Sequence, residues 1–296
     1  MQPLQLGEIR IETVVETAVN TFPFAQMLPA SDAAEIARHA SWLEPRFADL
    51  SQGLAVLSFH TYLVRTPRHT VLVDTCNGNH KDRDGFPGFH MLRTGWLDNL
   101  RAAGVTPEQV DYVMCTHLHS DHIGWNTQLV DGRWVPTFPN AKYVFARREF
   151  EVRKAAWDAT GGDPKSFGPR AYWDSVLPVV ETGQALIVES DHRLDDHVSL
   201  EAAEGHTPGN IVVHFRSGAA HGICCGDTIH HPIQVVHPEW SSAFCEDPIA
   251  SARTRRAFVE RWADTRAVIM PAHFPSPTAG RIRRRGGEFR FEFVGE

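Results

Sequence analysis

The chain carries the run His117-Leu118-His119-Ser120-Asp121-His122 and, further along, His206, Asp227 and His273. Imidazole and carboxylate donors in this number can hold two transition-metal ions. His117 and His119 stand at i and i+2, so an extended backbone projects both rings to one side, while Asp121 and His122 turn toward a neighbouring point. Two metal centres are therefore geometrically natural. Donors of this kind without thiolate suit zinc, the expected ion, and also Mn2+, Co2+ or Fe2+. A water held by two such ions loses its proton near neutral pH, and the metal-bound hydroxide attacks a carbonyl carbon or phosphorus whose oxygen the metals polarise. No Ser or Cys nucleophile is required, and Asp121 or Asp227 can manage the proton. A single histidine among the 17 defaults to a core or surface role. The joint pattern, with Gly205-His206-Thr207-Pro208-Gly209 and Gly226-Asp227 in order, does not.

Each donor follows or ends a strand-like run: 113–116 before His117, 198–203 before His206, 222–226 before Asp227 and 267–270 before His273. Separate segments thus converge on strand ends, where scaffolds place reactive groups. Gly124 falls where a side chain would obstruct close backbone approach. Further strands are expected at 8–16, 54–64, 69–74, 142–146, 185–189, 211–216 and 288–294, the last with Phe289, Phe291 and Phe293 on one side. Thr66-Pro67-Arg68 reads as a hairpin turn, and helices are expected at 33–43 behind the capping Asp32, at 92–103, 147–157 and 248–262. The stretches 17–30 and 76–94 read as irregular. Segments 17–50 and 76–94 are therefore lid or pocket candidates, with Phe22, Phe24, Met27, Phe86 and Phe89 as an apolar rim. Trp240, Phe244 and His231 are pocket candidates after Asp227, and Arg281 to Arg285 reads as a solvated surface or loop. The order of elements predicts an α+β chain of packed sheets covered by helices.

Composition narrows the partners. Lys plus Arg total 29 against 36 Asp plus Glu, a formal charge of -7 that gives no global attraction to nucleic acid or anionic membrane. A small neutral substrate is compatible with it. One domain over 1–296 is expected, because the donors stretch from His117 to His273. A homodimer is carried as the candidate oligomer. The 5 cysteines lack a Cys-x-x-Cys pair and the first residues show no signal sequence, so inert core thiols and a cytoplasmic location are expected. No apolar run approaches the roughly 20 residues of a membrane-spanning helix.

Over roughly Val56 to His273 the sequence resembles the metallo-β-lactamase superfamily, whose hydrolytic branch carries His-x-His-x-Asp-His followed by a separate His, Asp and His. The resemblance implies an αββα sandwich of two mixed sheets flanked by helices, with the site along one sheet edge. It implies that His117, His119 and His206 hold one metal, that Asp121, His122 and His273 hold the other, and that Asp227 bridges them. Antibiotic-hydrolysing members commonly have Cys at one such position; none stands here, which argues against β-lactam cleavage. By the same resemblance Asp74 lies behind the ligands and orients an imidazole. His230 stands at the third position after Asp227, where lactone-cleaving relatives often place Tyr to polarise the reacting carbonyl, and it joins Asp121 and Asp227 as a catalytic candidate. Gly226 to His230, Gln234 and Asp247-Pro248 look more like the methyl parathion hydrolase branch. The activity so implied is hydrolysis of a neutral ester, lactone or organophosphate triester. The alternative is iron-dependent redox or dioxygenase chemistry on similar ligands; a binding protein is disfavoured because no ligand is missing.

Overall fold

The structure is a computed structural model that describes residues 2–166 and 169–295. Its strands are β1 (Leu4–Leu6), β2 (Ile9–Pro23), β3 (Ala48–Asp49), β4 (Leu54–Arg65), β5 (Thr70–Val73), β6 (Tyr112–Met114), β7 (Thr127–Val130), β8 (Arg133–Pro136), β9 (Lys142–Ala146) and β10 (Ala185–Val188), followed by β11 (Val198–Ala202), β12 (Ile211–Ser217), β13 (Ala220–Gly226), β14 (Val268–Pro271), β15 (Gly280–Arg285) and β16 (Glu288–Phe293). An 8-stranded sheet runs β1-β2-β4-β5-β6-β9-β10 with β3 on β4, and a 6-stranded sheet runs β11 to β16 in chain order. Both are mixed: β5, β6, β9 and β10 pair in parallel, as do β13 and β14, and the other pairs are antiparallel.

Alternation within each strand builds the layers. In the first sheet Tyr62, Val64, Val71, Val73, Met114 and Val144 face Val213, Phe215, Cys224, Val268 and Met270 of the second, forming the inter-sheet core. The intervening residues Leu63, Leu72, Val113, Tyr143 and Phe145 point outward under Trp96 and Leu100 of the helix Trp96–Ala102 and under Tyr172. On the second sheet Val212, Ile223, Cys225 and Ile269 pack beneath Phe258 and Val259 of the helix Pro248–Trp262. This is an αββα sandwich. Burial on both faces explains why β4, β5 and β9 read as near-continuous apolar runs.

Several expectations need correction. Residues 17–23 are not irregular: β2 continues through them to Pro23, with register shifts between Val15 and Thr17 and between Thr17 and Asn20. The bulges displace the inward-outward alternation, which disguised the strand. The helix expected over 33–43 is two short helices, Ala33–Ala37 and Ala40–Leu43, and Asp32 caps the first by accepting from Glu35 N at 2.8 Å. Arg281 to Arg285 is not a loop but most of β15, whose Ile282 is fully buried in the cluster with Phe258 and Val259.

The stretch 76–94 is irregular as expected, yet inward-facing polar side chains anchor it. Glu16 accepts hydrogen bonds from Asn77 N at 2.9 Å, Gly78 N at 3.1 Å and Trp125 Nε1 at 2.7 Å. Further along, Arg83 grips the Asp174 carboxylate through both terminal nitrogens, at 2.6 and 2.9 Å, and Lys81 Nζ lies 3.5 Å from the same group. Arginine and lysine are rarely buried without such a partner.

Candidate metal centre

The donors lie where strands end. The run from His117 leaves β6 and forms the short helix Ser120–Ile123, His206 sits between β11 and β12, Asp227 directly follows β13, and His273 follows β14. The loops are held together by close backbone approach. A Cβ on Gly124 would stand 1.8 Å from Asn77 O, and one on Gly209 would stand 2.2 Å from Glu149 N. The Glu149 carboxylate then clamps two donor loops by accepting from Leu118 N and Gly209 N, each at 3.1 Å.

All seven candidate metal residues come together in two groups. His117, His119, His206 and Asp227 form one, Asp121, His122 and His273 the other, with donor atoms in each group within 4.8 Å of one another. Asp227 faces both. Its Oδ2 lies 3.2 Å from His206 Nε2 and 3.8 Å from His117 Nε2, while Oδ1 lies 3.0 Å from His273 Nε2 and 3.3 Å from His122 Nε2. Asp121 Oδ2 is 3.6 Å from both His122 Nε2 and His273 Nε2.

The far side of each ring has its own partner. Asp74 Oδ2 is 2.9 Å from His122 Nδ1 and also accepts from Thr116 Oγ1 at 2.8 Å. That hydroxyl, having given its proton to Asp74, accepts from His117 Nδ1 at 3.1 Å. His273 Nδ1 donates to Ser58 O at 3.3 Å, and His206 Nδ1 lies 3.4 Å from Cys245 Sγ. Glu246 Oε1 stands 3.7 Å from His119 Nε2, leaving His119 Nδ1 toward His206 Nε2 at 3.0 Å. With their second nitrogens so engaged, the five rings turn their other nitrogens into the two groups. Burial, reinforced by neighbouring imidazoles, holds His117 well below the ordinary histidine range. Burial also lowers His206 well below it, against the opposing pull of Asp227.

The donor chemistry fits a pair of divalent ions. His206 Nε2 and His117 Nε2 stand 3.1 Å apart. Two imidazole nitrogens at that distance either share a proton or can both bind one cation. His122 Nε2 and Asp227 Oδ1 are buried without a hydrogen-bond partner, as atoms reserved for an ion would be. Replacing Asp74 with Asn removes the charge behind His122 and is expected to weaken metal affinity by about 10–100-fold. Titration against a competing chelator measures it, and wild-type affinity would deny Asp74 that role.

The centre floors a cavity of about 400 Å³ whose lining includes Asp121, Asp227, His230 and His273. Phe22, Phe59, Phe86, Phe89 and Phe244 form its apolar wall. His230 is fully buried; its Nε2 lies 3.2 Å from Asp227 Oδ2, and neither ring nitrogen has a hydrogen-bond partner. Of the pocket candidates, Phe24 and Met27 instead join the buried cluster beneath the short helices, together with Trp240. His231 is also withdrawn, its Nε2 2.7 Å from Phe47 O. Both stretches pack inward because only part of each faces the cavity. Sequence reasoning missed Glu149, Glu246 and Ser58, which act on distant residues or through the backbone, and Thr116, which links the adjacent His117 to the distant Asp74.

The chain is similar to known proteins over most of its length. Residues 57–273 match the family model of the metallo-beta-lactamase superfamily. A stretch of 69 residues is 39% identical to the N-acyl homoserine lactonase AttM of Azorhizobium caulinodans, and equally so to that of Agrobacterium fabrum. The matched stretch spans 23% of this chain and 23% of the relative. Among solved structures, AidC, a dizinc quorum-quenching lactonase, superimposes with a TM-score of 0.78 at 22% identity over 98% of this chain and 96% of its own. The hydrolase AbOPH superimposes with a TM-score of 0.82 at 21% identity over 99% and 97%. At these identities the structural likeness speaks to the fold.

Proposed function

The chain belongs to the metallo-beta-lactamase superfamily, and we propose that it is a metal-dependent hydrolase of neutral small-molecule esters, including lactones and organophosphate triesters. The observation that carries this reading is Asp227, which turns one carboxylate oxygen to each donor group at the floor of an apolar cavity. Two divalent ions held there, zinc by preference, would supply water activation at neutral pH and Lewis acidity toward the substrate oxygen. His117, His119 and His206 would hold one, Asp121, His122 and His273 the other, and Asp227 would join them.

The remaining side chains orient and exclude. The phenylalanine wall takes an acyl or aryl group and displaces water from it. His230, with its unpartnered ring nitrogens beside Asp227, offers a hydrogen bond to the substrate oxygen or the leaving group. Asp121 is placed to accept a proton near the donor groups. The cavity's cations are already committed, Arg153 to Glu149 at 2.9 Å and to Glu246 at 2.5 Å, and Arg83 to Asp174. A polyanion therefore finds little to bind, which supports neutral substrates over nucleic acid. The lactonase names of AttM and AidC add support for the lactone within that class.

A panel of lactones, aryl esters, thioesters, phosphotriesters, a β-lactam and a nucleic-acid phosphodiester, run on zinc-loaded protein, tests the class. The neutral esters should give the highest kcat/KM. Nucleic-acid cleavage without ester turnover would overturn the proposal. His230→Ala should lower ester turnover; unchanged kinetics would remove only the role given to His230.

A further inference from the structure

Outside the His/Asp centre, one other group among the described residues brings metal-binding atoms together: Glu35, His39 and His237, whose donor atoms lie within 4.8 Å of one another. None of the three lines the cavity. Glu35 belongs to the helix Ala33–Ala37, His39 immediately precedes the helix Ala40–Leu43, and His237 immediately follows the helix Ile233–Val236. Glu35 Oε1 is 3.3 Å from His39 Nε2 and 3.3 Å from His237 Nε2.

Two observations distinguish this group from a solvated ion pair. His39 is 3% exposed, and its Nε2, aimed at Glu35, is buried without a hydrogen-bond partner. On the other ring, His237 Nε2 meets the same Glu35 oxygen at hydrogen-bond distance, 3.3 Å, with Glu239 Oε1 3.1 Å from its Nδ1. Two ring nitrogens thus converge on one carboxylate oxygen, where a divalent ion would take the place of the protons between them. A carboxylate behind an imidazole is also the usual support of a metal-ligating histidine.

We propose that Glu35, His39 and His237 form a further, mononuclear site for a divalent ion of the zinc class. Two imidazoles and one carboxylate match zinc's donor preference, with solvent reaching the site from the partly exposed Glu35 and His237 side chains. The bound ion ties the short helices to the segment after Asp227. Both already contribute to one apolar cluster through Ile36, Leu43, Ile233 and Trp240. Arg290 Nη1, 3.0 Å from His39 Nδ1, and Trp42 Nε1, 3.4 Å from it, favour the tautomer with the proton on Nε2. Metal binding therefore moves that proton to Nδ1 and turns the guanidinium away, and Glu288, 2.9 Å from Arg290 Nη2, keeps the guanidinium paired.

The test uses full-length protein whose His/Asp centre is first saturated with zinc and cleared of excess. Calorimetric titration with ZnCl2 should then show one further equivalent. Glu35→Gln and His237→Asn, both at partly exposed positions, should weaken that event by at least about tenfold, as loss of a ligand exceeds loss of a supporting group. Arg290→Met should strengthen it by freeing Nδ1. Cu2+ offers a second readout, because Trp240 stacks on His237 with ring centroids 4.0 Å apart and should be quenched in wild type but not in His237→Asn. Absence of the further equivalent up to millimolar ZnCl2, or its persistence in both ligand variants, would overturn the site. So would unchanged affinity in Arg290→Met.

Discussion

Asp121→Ala is expected to lower kcat/KM for a neutral ester by more than about a hundredfold, because supporting groups behind metal ligands are already worth 10–100-fold. The melting temperature should move little. Asp121 lies on a four-residue helix at the cavity floor, 17% exposed at its side chain, and its Oδ2 reaches His122 and His273 rather than the core. In the proposed mechanism this side chain would hold an ion and move a proton, while the fold rests on the apolar layers. Kinetics at saturating metal, beside thermal unfolding of the same preparation, separate the two effects. Wild-type turnover in metal-saturated Asp121→Ala would show that the residue does not have this role.

The largest loss of stability is expected from Asp174→Ala, at about 3–5 kcal/mol, because it strands buried charge. Asp174 is 1% exposed, and the cations it holds, Lys81 and Arg83, are 0% and 6% exposed. Burial would raise its carboxyl, but the attraction of Lys81 and Arg83 outweighs this and holds it below the usual range. Burial pushes Lys81 down to about 7. Its charge is thus only partly retained near neutral pH, and Lys81→Met, which leaves the two-point Arg83 contact intact, should cost much less. Because this cluster anchors the stretch carrying Phe86 and Phe89, Asp174→Ala should also raise KM for esters. Urea unfolding of both variants checks the order. Equal losses, or a stable Asp174→Ala, would mean that the stretch is held by something else.

What the sequence reveals depends on whether the physics is local. β9 and the helix Pro248–Trp262 fall where their patterns predict, since strand alternation and a capping Asp247 before Pro248 are signals carried by neighbouring residues. The donors are legible for a related reason: clustered residue types with fixed spacing state their chemistry before any folding is known. Asp74 is legible through a resemblance, and the structure sets it 2.9 Å from His122. β2 beyond Glu16 is hidden because its bulges break the period that marks a strand. β15 is hidden because arginines flank its buried Ile282. Glu149 and Glu16 were beyond reach altogether. A carboxylate that clamps Leu118 and Gly209, or Asn77 and Trp125, looks in sequence like any other surface acid. Trp240 fails differently, since its place after Asp227 gives proximity to the site without direction, and its ring turns to stack on His237.

Metal quantification paired with ester turnover on one preparation tests the central claim most directly. Fully active protein should contain two divalent ions per chain at the His/Asp centre when the Glu35 group is disabled by His237→Asn. Chelation should abolish turnover, and zinc should restore it. A fully active preparation holding one ion per chain, or turnover that survives removal of all metal, would contradict a paired-ion hydrolase.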